Sequence, residues 1–215
     1  MNEPPRIACL PNGPYYLLND MQASRVPNLV RASGAPCATV RGVALCRCGG
    51  SKNKPFCDGT HSANGFSDRK LADSKANRRE TYRGKGITIF DNRAICSHAG
   101  YCSDSLKSVF RYGVEPWIDP DGAAVDEIIA TVRKCPSGAL SYAIDGVEAK
   151  PVERPPKVVV TDNGPYAVSG AIELMNVEFG DGASREHYTL CRCGASANKP
   201  FCDGSHFRVE FRDPE

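Results

Sequence analysis

Apolar positions in this chain come in short runs broken by Gly, Pro, Asn and Asp. That pattern predicts short strands rather than long helices. Ile7 to Leu10 and Val158 to Thr161 each read as a strand. Each is followed by Asn-Gly-Pro-Tyr, at 12–15 and 163–166, where Asn-Gly before Pro signals a turn. Beyond the second turn, Tyr166, Val168, Ile172 and Leu174 flank Ser169-Gly170, which reads as a two-residue hairpin loop. Val43-Ala44-Leu45 and Tyr188-Thr189-Leu190 read as further strands. The middle of the chain has a different rhythm. Gly86 to Phe90 reads as a strand ended by Asp91-Asn92, and Pro116-Trp117-Ile118 as a short strand before a turn at 119–122. Val125, Ile128, Ile129 and Val132 recur at i, i+3, i+4 and i+7, the spacing of one amphipathic helix. Arg133 and Lys134 in its last turn suit the helix dipole. Leu140, Tyr142 and Ile144 alternate as a strand stopped by Asp145-Gly146.

The recurring order of elements marks an internal repeat. Residues 1–66 and 157–215 read as two copies of one small β-rich unit, with a separate unit at 81–150. The linker 67–80 is polar and charged and reads as a solvated connector. The linker 151–156 is proline-rich and reads as stiff. The first copy is six residues longer between its Asn-Gly-Pro-Tyr and its first paired cysteine, an insertion placed in the loop of Gly34, Pro36 and Cys37. The copies are most alike from Cys46 to His61, CRCGGSKNKPFCDGTH, and from Cys191 to His206, CRCGASANKPFCDGSH. Each holds three cysteines and one histidine as C-x-C-x8-C-x3-H. Thiolates and an imidazole are soft to borderline ligands, and four on a short loop make a metal site. Cys57 and His61, like Cys202 and His206, are four apart, so a helical turn would put them on one side. Spacing alone leaves a structural zinc site open.

Composition narrows the setting. The net charge of +2 comes from basic residues spread along all 215 positions, with no electrostatic footprint for nucleic acid. No apolar run approaches a bilayer span, and the start, MNEPPRIACLPNGPYY, reads as no signal peptide. Eleven cysteines is an odd number and not the framework of a small secreted scaffold. Thiols at ligand spacing point to a reducing, cytoplasmic setting and to metal rather than disulfides. Units this small would draw stability from what they bind.

The run C-x-C-x2-S-x3-P-x-C-D-G-[S/T]-H resembles the CDGSH iron–sulfur domain, and both copies match every fixed position. The resemblance implies two [2Fe-2S] clusters, one on Cys46, Cys48, Cys57 and His61 and one on Cys191, Cys193, Cys202 and His206. It also implies an internal pseudo-dimer, since such domains pair as homodimers, and hence a monomeric chain. The middle unit, with CSHAGYC from Cys96 to Cys102 and a distant Cys135-Pro136, resembles a single-cluster bacterial ferredoxin of βαβαβ order. Cys96, Cys102 and Cys135 carry over as ligands. Ala99 stands where that family has its middle cysteine, so three thiols imply a [3Fe-4S] cluster. The alternative is [4Fe-4S] with a fourth ligand that is not cysteine, His98 being nearest in sequence.

The fold class expected is thus α+β: two β-rich units as a pseudo-dimer around a ferredoxin-like domain. Cys9 reads as a small apolar strand residue, Cys37 as a loop thiol and His187 as a surface or turn histidine. Lys54/Lys199 and Arg47/Arg192 read equally as solvated charges or as cations balancing a cluster, and Asp58/Asp203 as caps or hydrogen-bond partners of the ligand loops. No nucleophile–base pair, phosphate loop or nucleotide fingerprint is visible, so no enzyme is expected. The expected role is one-electron transfer with a redox protein partner. The alternatives are a [2Fe-2S] donor or sensor serving an apo acceptor protein, and a structural zinc protein. Neither nucleic acid nor membrane is an expected partner.

Overall fold

A computed structural model describes residues 5–18, 28–37, 43–71 and 75–213. Its strands are β1 (Arg6–Cys9), β2 (Tyr15–Leu18), β3 (Asn28–Arg31), β4 (Val43–Leu45), β5 (Glu80–Arg83), β6 (Thr88–Asp91), β7 (Leu140–Ile144), β8 (Val147–Glu148), β9 (Lys157–Val160), β10 (Tyr166–Ser169), β11 (Glu173–Met175) and β12 (His187–Leu190). The described residues also hold three short α-helices: α1 (Tyr101–Ser105) and α2 (Val125–Val132) between β6 and β7, and α3 (Ser205–Arg208) after β12. The strands form three four-stranded sheets.

Two of the sheets are shared between the copies. One runs β11-β1-β2-β4 and the other β12-β10-β9-β3. β1, β2 and β4 pair antiparallel within the first copy, and β9, β10 and β12 do so within the second. The fourth strand crosses over. β11 of the second copy lies parallel to β1, with Ile7 opposite Leu174, and β3 of the first lies parallel to β9, with Leu29 opposite Val158. Each exchanged strand covers an edge that a three-stranded sheet would leave open. The alternating positions predicted by the sequence point into one common core. Ile7, Tyr15, Leu17 and Leu45 pack there with Val158, Tyr166, Val168 and Leu190. A single copy is too small to bury a core of this size alone.

The crossing corrects two expectations. Ser169-Gly170 does not close a hairpin, because β10 already has β9 on one edge and β12 on the other; the chain leaves and adds β11 to the other copy's sheet. The extra residues of the first copy are also elsewhere. Asn28 precedes Cys46 by as many residues as Glu173 precedes Cys191, so the surplus falls between β2 and β3, within 19–27, outside the described residues. The loop of Gly34, Pro36 and Cys37 instead turns back on β3 through a Val30–Pro36 bridge.

The middle unit has an antiparallel sheet, β5-β6-β7-β8, with α1 and α2 between β6 and β7. α2 buries Ile128 and Val132 against Ile89, Phe110 and Tyr142. Its first turn is closed by Glu127 accepting from the Ala124 N–H at 3.2 Å. The strand expected at 116–118 is reduced to one bridge, Phe110 to Ile118, and β5 extends the sheet where a linker was expected to end. That linker is no free connector. Asn12 and Asp68 bond reciprocally at 3.1 and 3.2 Å, and Leu71 N–H donates to Ala197 at 2.9 Å. Further on, Asn77 bonds Asn92 and Arg79 pairs with Glu148 at 2.6 Å. Each bond answers a polar group of the linker with one on a folded unit, which the polar composition alone did not distinguish from solvation.

Candidate metal centres

Each strand that enters a ligand loop ends one residue before its first cysteine: β4 before Cys46, β12 before Cys191. The loop is fixed by its own backbone. Cys46 N–H donates to Pro55 and Cys57 N–H to Ala44; in the second copy Cys191 donates to Pro200 and Cys202 to Thr189, all 2.8 to 3.0 Å. Ser51 and Ser196 hydroxyls close the turn onto Phe56 and Phe201 at 2.6 and 2.7 Å. Lys54 and Lys199 ammoniums each donate to a loop carbonyl, Ser51 or Ser196, at 2.7 Å. Asp58 and Asp203 bind both ends of the loop. Their carboxylates accept from Lys52 and Thr60 in the first copy and from Ala197 and Ser205 in the second. They are hydrogen-bond partners of the ligand loops rather than helix caps, since Gly59 and Gly204 cap the short helices with no side-chain bond. In both copies the carboxyl stays below the usual carboxylate range. For Asp58 the Thr60 hydroxyl is the main cause; for Asp203 burial opposes the shift and the Ser205 bonds outweigh it.

The ligand candidates come in pairs. Cys46 Sγ lies 3.9 Å from Cys48 Sγ, and Cys57 Sγ lies 3.3 Å from His61 Nδ1. The second copy repeats this at 3.7 Å for Cys191 and Cys193 and 3.5 Å for Cys202 and His206 Nδ1. A tetrahedral metal with ordinary bond lengths to sulfur and imidazole holds two thiolates about 3.8 Å apart and a thiolate–imidazole pair about 3.5 Å apart. Each pair therefore has the spacing of two ligands on one metal. Among the described residues no three His, Cys, Asp or Glu side chains converge on a point that could hold a single ion. Backbone N–H groups of Gly50, Gly59 and Gly204 point at Cys48, Cys57 and Cys202 sulfurs at 3.4 to 3.5 Å, donors of the kind that tune a metal-bound thiolate.

The loops of the two copies meet back to back. A Cβ on Gly49 would lie 2.5 Å from the Cys193 carbonyl oxygen, and one on Gly194 would lie 2.5 Å from that of Cys48. Only glycine fits so close an approach. Tyr15 hydroxyl donates to the Cys191 and Pro200 carbonyls at 2.8 and 3.0 Å, and Tyr166 hydroxyl to those of Cys46 and Pro55 at 2.9 and 3.0 Å. The repeated Asn-Gly-Pro-Tyr thus does more than turn the chain: its tyrosine braces the other copy's ligand loop. That role was readable only as a tyrosine recurring at the same place in both copies.

In the middle unit Cys96, Cys102 and Cys135 line one cavity of about 770 Å³, together with His98, Ala99, Arg93 and Trp117. Cys96 is pushed up to about 11 by burial and by the neighbouring Cys135, and the same two causes raise Cys102. Arg93 donates to Cys96 Sγ at 3.6 Å, pairs with the buried Asp91 at 3.0 Å and lies over the Trp117 ring at 3.6 Å. Burial brings Asp91 up to about 6, partly offset by Arg93. None of these three neighbours was singled out from sequence, although Arg93 precedes Cys96 by a single turn.

Residues 12–62 and 163–207 match a family model described as an iron-binding zinc finger of CDGSH type, and residues 82–145 match one described as a divergent 4Fe-4S mono-cluster domain. The chain resembles the CDGSH iron-binding family in its segments 12–62 and 163–207. It carries two CDGSH segments around the divergent mono-cluster segment, and it is an iron–sulfur protein. The uncharacterized protein YjdI of Escherichia coli K12 is 39% identical over 61 residues, 28% of this chain and 80% of that protein. The same protein of Escherichia coli O157:H7 gives the same figures. No solved structure matches the chain. No helix among the described residues is long and apolar enough to cross a membrane.

The donor chemistry of the CDGSH sites suits a cationic centre. Burial pushes Cys46 up to about 11; it also raises Cys202, with the nearby Cys191 adding to it. Thiols held neutral in this way become thiolates when a metal supplies the compensating charge. The remaining candidates stand aside from the sites. Cys9 packs against the shared core at about 11, raised by burial, and Cys37 packs partly against the same core. His187 is no surface histidine: it begins β12 and bonds Ser184 and Glu186 at 3.0 and 2.8 Å, because its side chain packs at the seam with the middle unit. The paired arginines are buried rather than solvated, and they serve the fold. Arg192 donates to Gly164, Thr161 and Asp213 at 2.5 to 2.7 Å, and Arg47 reaches Leu10 and Asp68 at 3.3 and 3.4 Å.

Proposed function

We propose that the chain holds two [2Fe-2S] clusters and one [3Fe-4S] cluster and works in one-electron transfer. The observation that carries this reading is the pairing of ligands, seen twice at the spacing of two ligands on one tetrahedral metal. A binuclear centre takes two such pairs, whereas a structural zinc ion would gather all four ligands at one point. Cys46 and Cys48 would hold one iron and Cys57 with His61 the other; Cys191, Cys193, Cys202 and His206 would repeat this. In the middle unit Cys96, Cys102 and Cys135 would hold a cluster with Ala99 leaving the fourth corner without a protein ligand. Such clusters supply reversible one-electron redox chemistry. The chain's own groups set the surroundings: N–H donors on the sulfurs and Arg93 beside Cys96.

The exchanged strands, the braced tyrosines and the back-to-back glycines support an internal pseudo-dimer that acts as a monomer. The reading includes no catalysis by the chain itself, a redox protein as partner, and a cytoplasmic setting. Two alternatives each have an observation in their favour. A [4Fe-4S] cluster in the middle unit is favoured by the match to a divergent 4Fe-4S mono-cluster family and by His98 lining the same cavity. A cluster-donor role is favoured by the partly exposed Cys57 and His61. The test is a redox titration followed by visible absorption and electron paramagnetic resonance. Reversible one-electron steps from three clusters support electron transfer; bleaching without recovery on each cycle argues against it.

A further inference from the structure

The two CDGSH loops are near-copies in sequence and unequal in setting. In the second copy Cys202, Asn198 and His206 are 2%, 3% and 6% exposed. In the first, Cys57 and His61 are half-buried, and Asn53, Asp58 and Gly59 are exposed. The difference comes from the middle unit and its connector. Asn198 Nδ2 donates 2.9 Å to the carbonyl of Ala94, two residues before Cys96. Leu71 N–H donates 2.9 Å to Ala197. His98, between Cys96 and Cys102, lays its ring on Gly204, so that a Cβ there would come within 2.3 Å of His98 Cδ2. Gly204 lies between Cys202 and His206, the thiolate–imidazole pair of that site. His98 has φ +54°, a left-handed backbone that residues other than glycine seldom adopt. Its surroundings hold it there.

We propose that the middle unit divides the labour of the two CDGSH sites: the 94–98 segment closes the second, and the first exchanges its iron–sulfur cargo with a protein presenting cysteine thiols. The inference rests on the reading that both copies hold clusters. Exchange requires incoming thiols to reach the two outer ligands. At the first site incoming thiols displace Cys57 Sγ and His61 Nδ1 first and Cys46 Sγ and Cys48 Sγ after them; each released ligand takes up the proton that its replacing thiol gives up, with no electron changing hands. At the second site the same approach meets His98 and the Asn198–Ala94 bond. Soft thiol donors are the fitting acceptor class, since they match the ligands they replace.

The test uses the full-length holo-protein, purified anaerobically and challenged with the iron chelator bathophenanthroline disulfonate. Release should be phased, with the first CDGSH site faster than the second. Double replacement of Cys46 and Cys48 by Ala should abolish the fast phase, and of Cys191 and Cys193 the slow one. If either variant fails to fold, His61→Cys and His206→Cys mark the two phases instead, because each alters the visible spectrum of its own site. His98→Gly suits the left-handed backbone while removing the ring, and Asn198→Ala removes the bond; each should speed the second-site phase alone. Equal release from both sites, or a second-site phase unmoved by both variants, overturns the proposal. A preparation without acid-labile sulfide overturns the cluster reading beneath it; sulfide with equal release overturns this inference only.

Discussion

The two CDGSH copies differ at three positions between first cysteine and histidine, yet one ligand pair is half-open and the other is closed. The loop sequence determines the internal geometry, and it is the same in both: matching pair distances, matching serine closures, matching aspartate hydrogen bonds. What lies outside the loop determines access. The second copy meets the middle unit through Asn198, whose counterpart Asn53 faces solvent. The same residue type is a buried anchor in one setting and a surface amide in the other. A repeated motif therefore gives repeated chemistry without giving repeated exposure.

The sharpest way to break the symmetrical part of this comparison is at the glycines where the loops touch. Gly49→Ala and Gly194→Ala each drive a Cβ into the other copy's carbonyl oxygen at φ near +77°. Overpacking and a left-handed alanine together should cost about 2–5 kcal/mol in each case. Urea denaturation of the holo-protein measures this, and equal losses at both positions are expected. The arginines should then separate the copies. Arg192→Ala strips Asp213 and two buried carbonyls of their donor and should cost about 2–4 kcal/mol. Arg47→Ala breaks longer bonds and should cost about half as much by the same measurement.

Smaller effects should cross from copy to copy. Tyr166→Phe leaves the carbonyls of Cys46 and Pro55 without that donor, a loss of about 1–3 kcal/mol. Its signature is faster iron loss from the first site, although the mutation lies in the second copy; Tyr15→Phe should do the reverse. Iron release with site-marked variants reads both. The smallest effect is a pH dependence at Asp213. Burial raises its carboxyl, but the hydrogen bonds and charge of Arg192 outweigh this and hold it below the usual range. A depressed carboxyl stabilises fully above its unfolded value of about 3.9 and loses that contribution as pH falls through the folded value. The stability gap between wild type and Asp213→Asn should hold from pH 7 down to about 5 and narrow only as pH falls below about 4.

Much of this was legible in the chain. Short apolar runs between turn residues marked β1, β4, β9 and β12, and alternation marked β10, because each shows a face to the core. The helix α2 followed from four apolar positions. The crossing of β3 and β11 was not legible, because a short alternating strand carries no mark of which edge it will join. Ser169-Gly170 looked like a hairpin for that reason. At the sites, Cys and His spacing pointed to the ligand loops, while the closing of one by His98 depends on a contact 106 positions away in sequence, between 98 and 204, and no local pattern encodes it. Arg93, Asp91 and Trp117 were missed because charge and ring meet only after β6 and the 110–118 bridge fold together.

The most direct test of the whole account is an iron, zinc and acid-labile sulfide count on anaerobically purified protein, for wild type and for the two double variants at 46/48 and 191/193. The account predicts about seven irons per chain for the wild type and about two fewer in each variant, with sulfide falling in step. Stoichiometric zinc without sulfide, or variants that keep the full iron count, would contradict it.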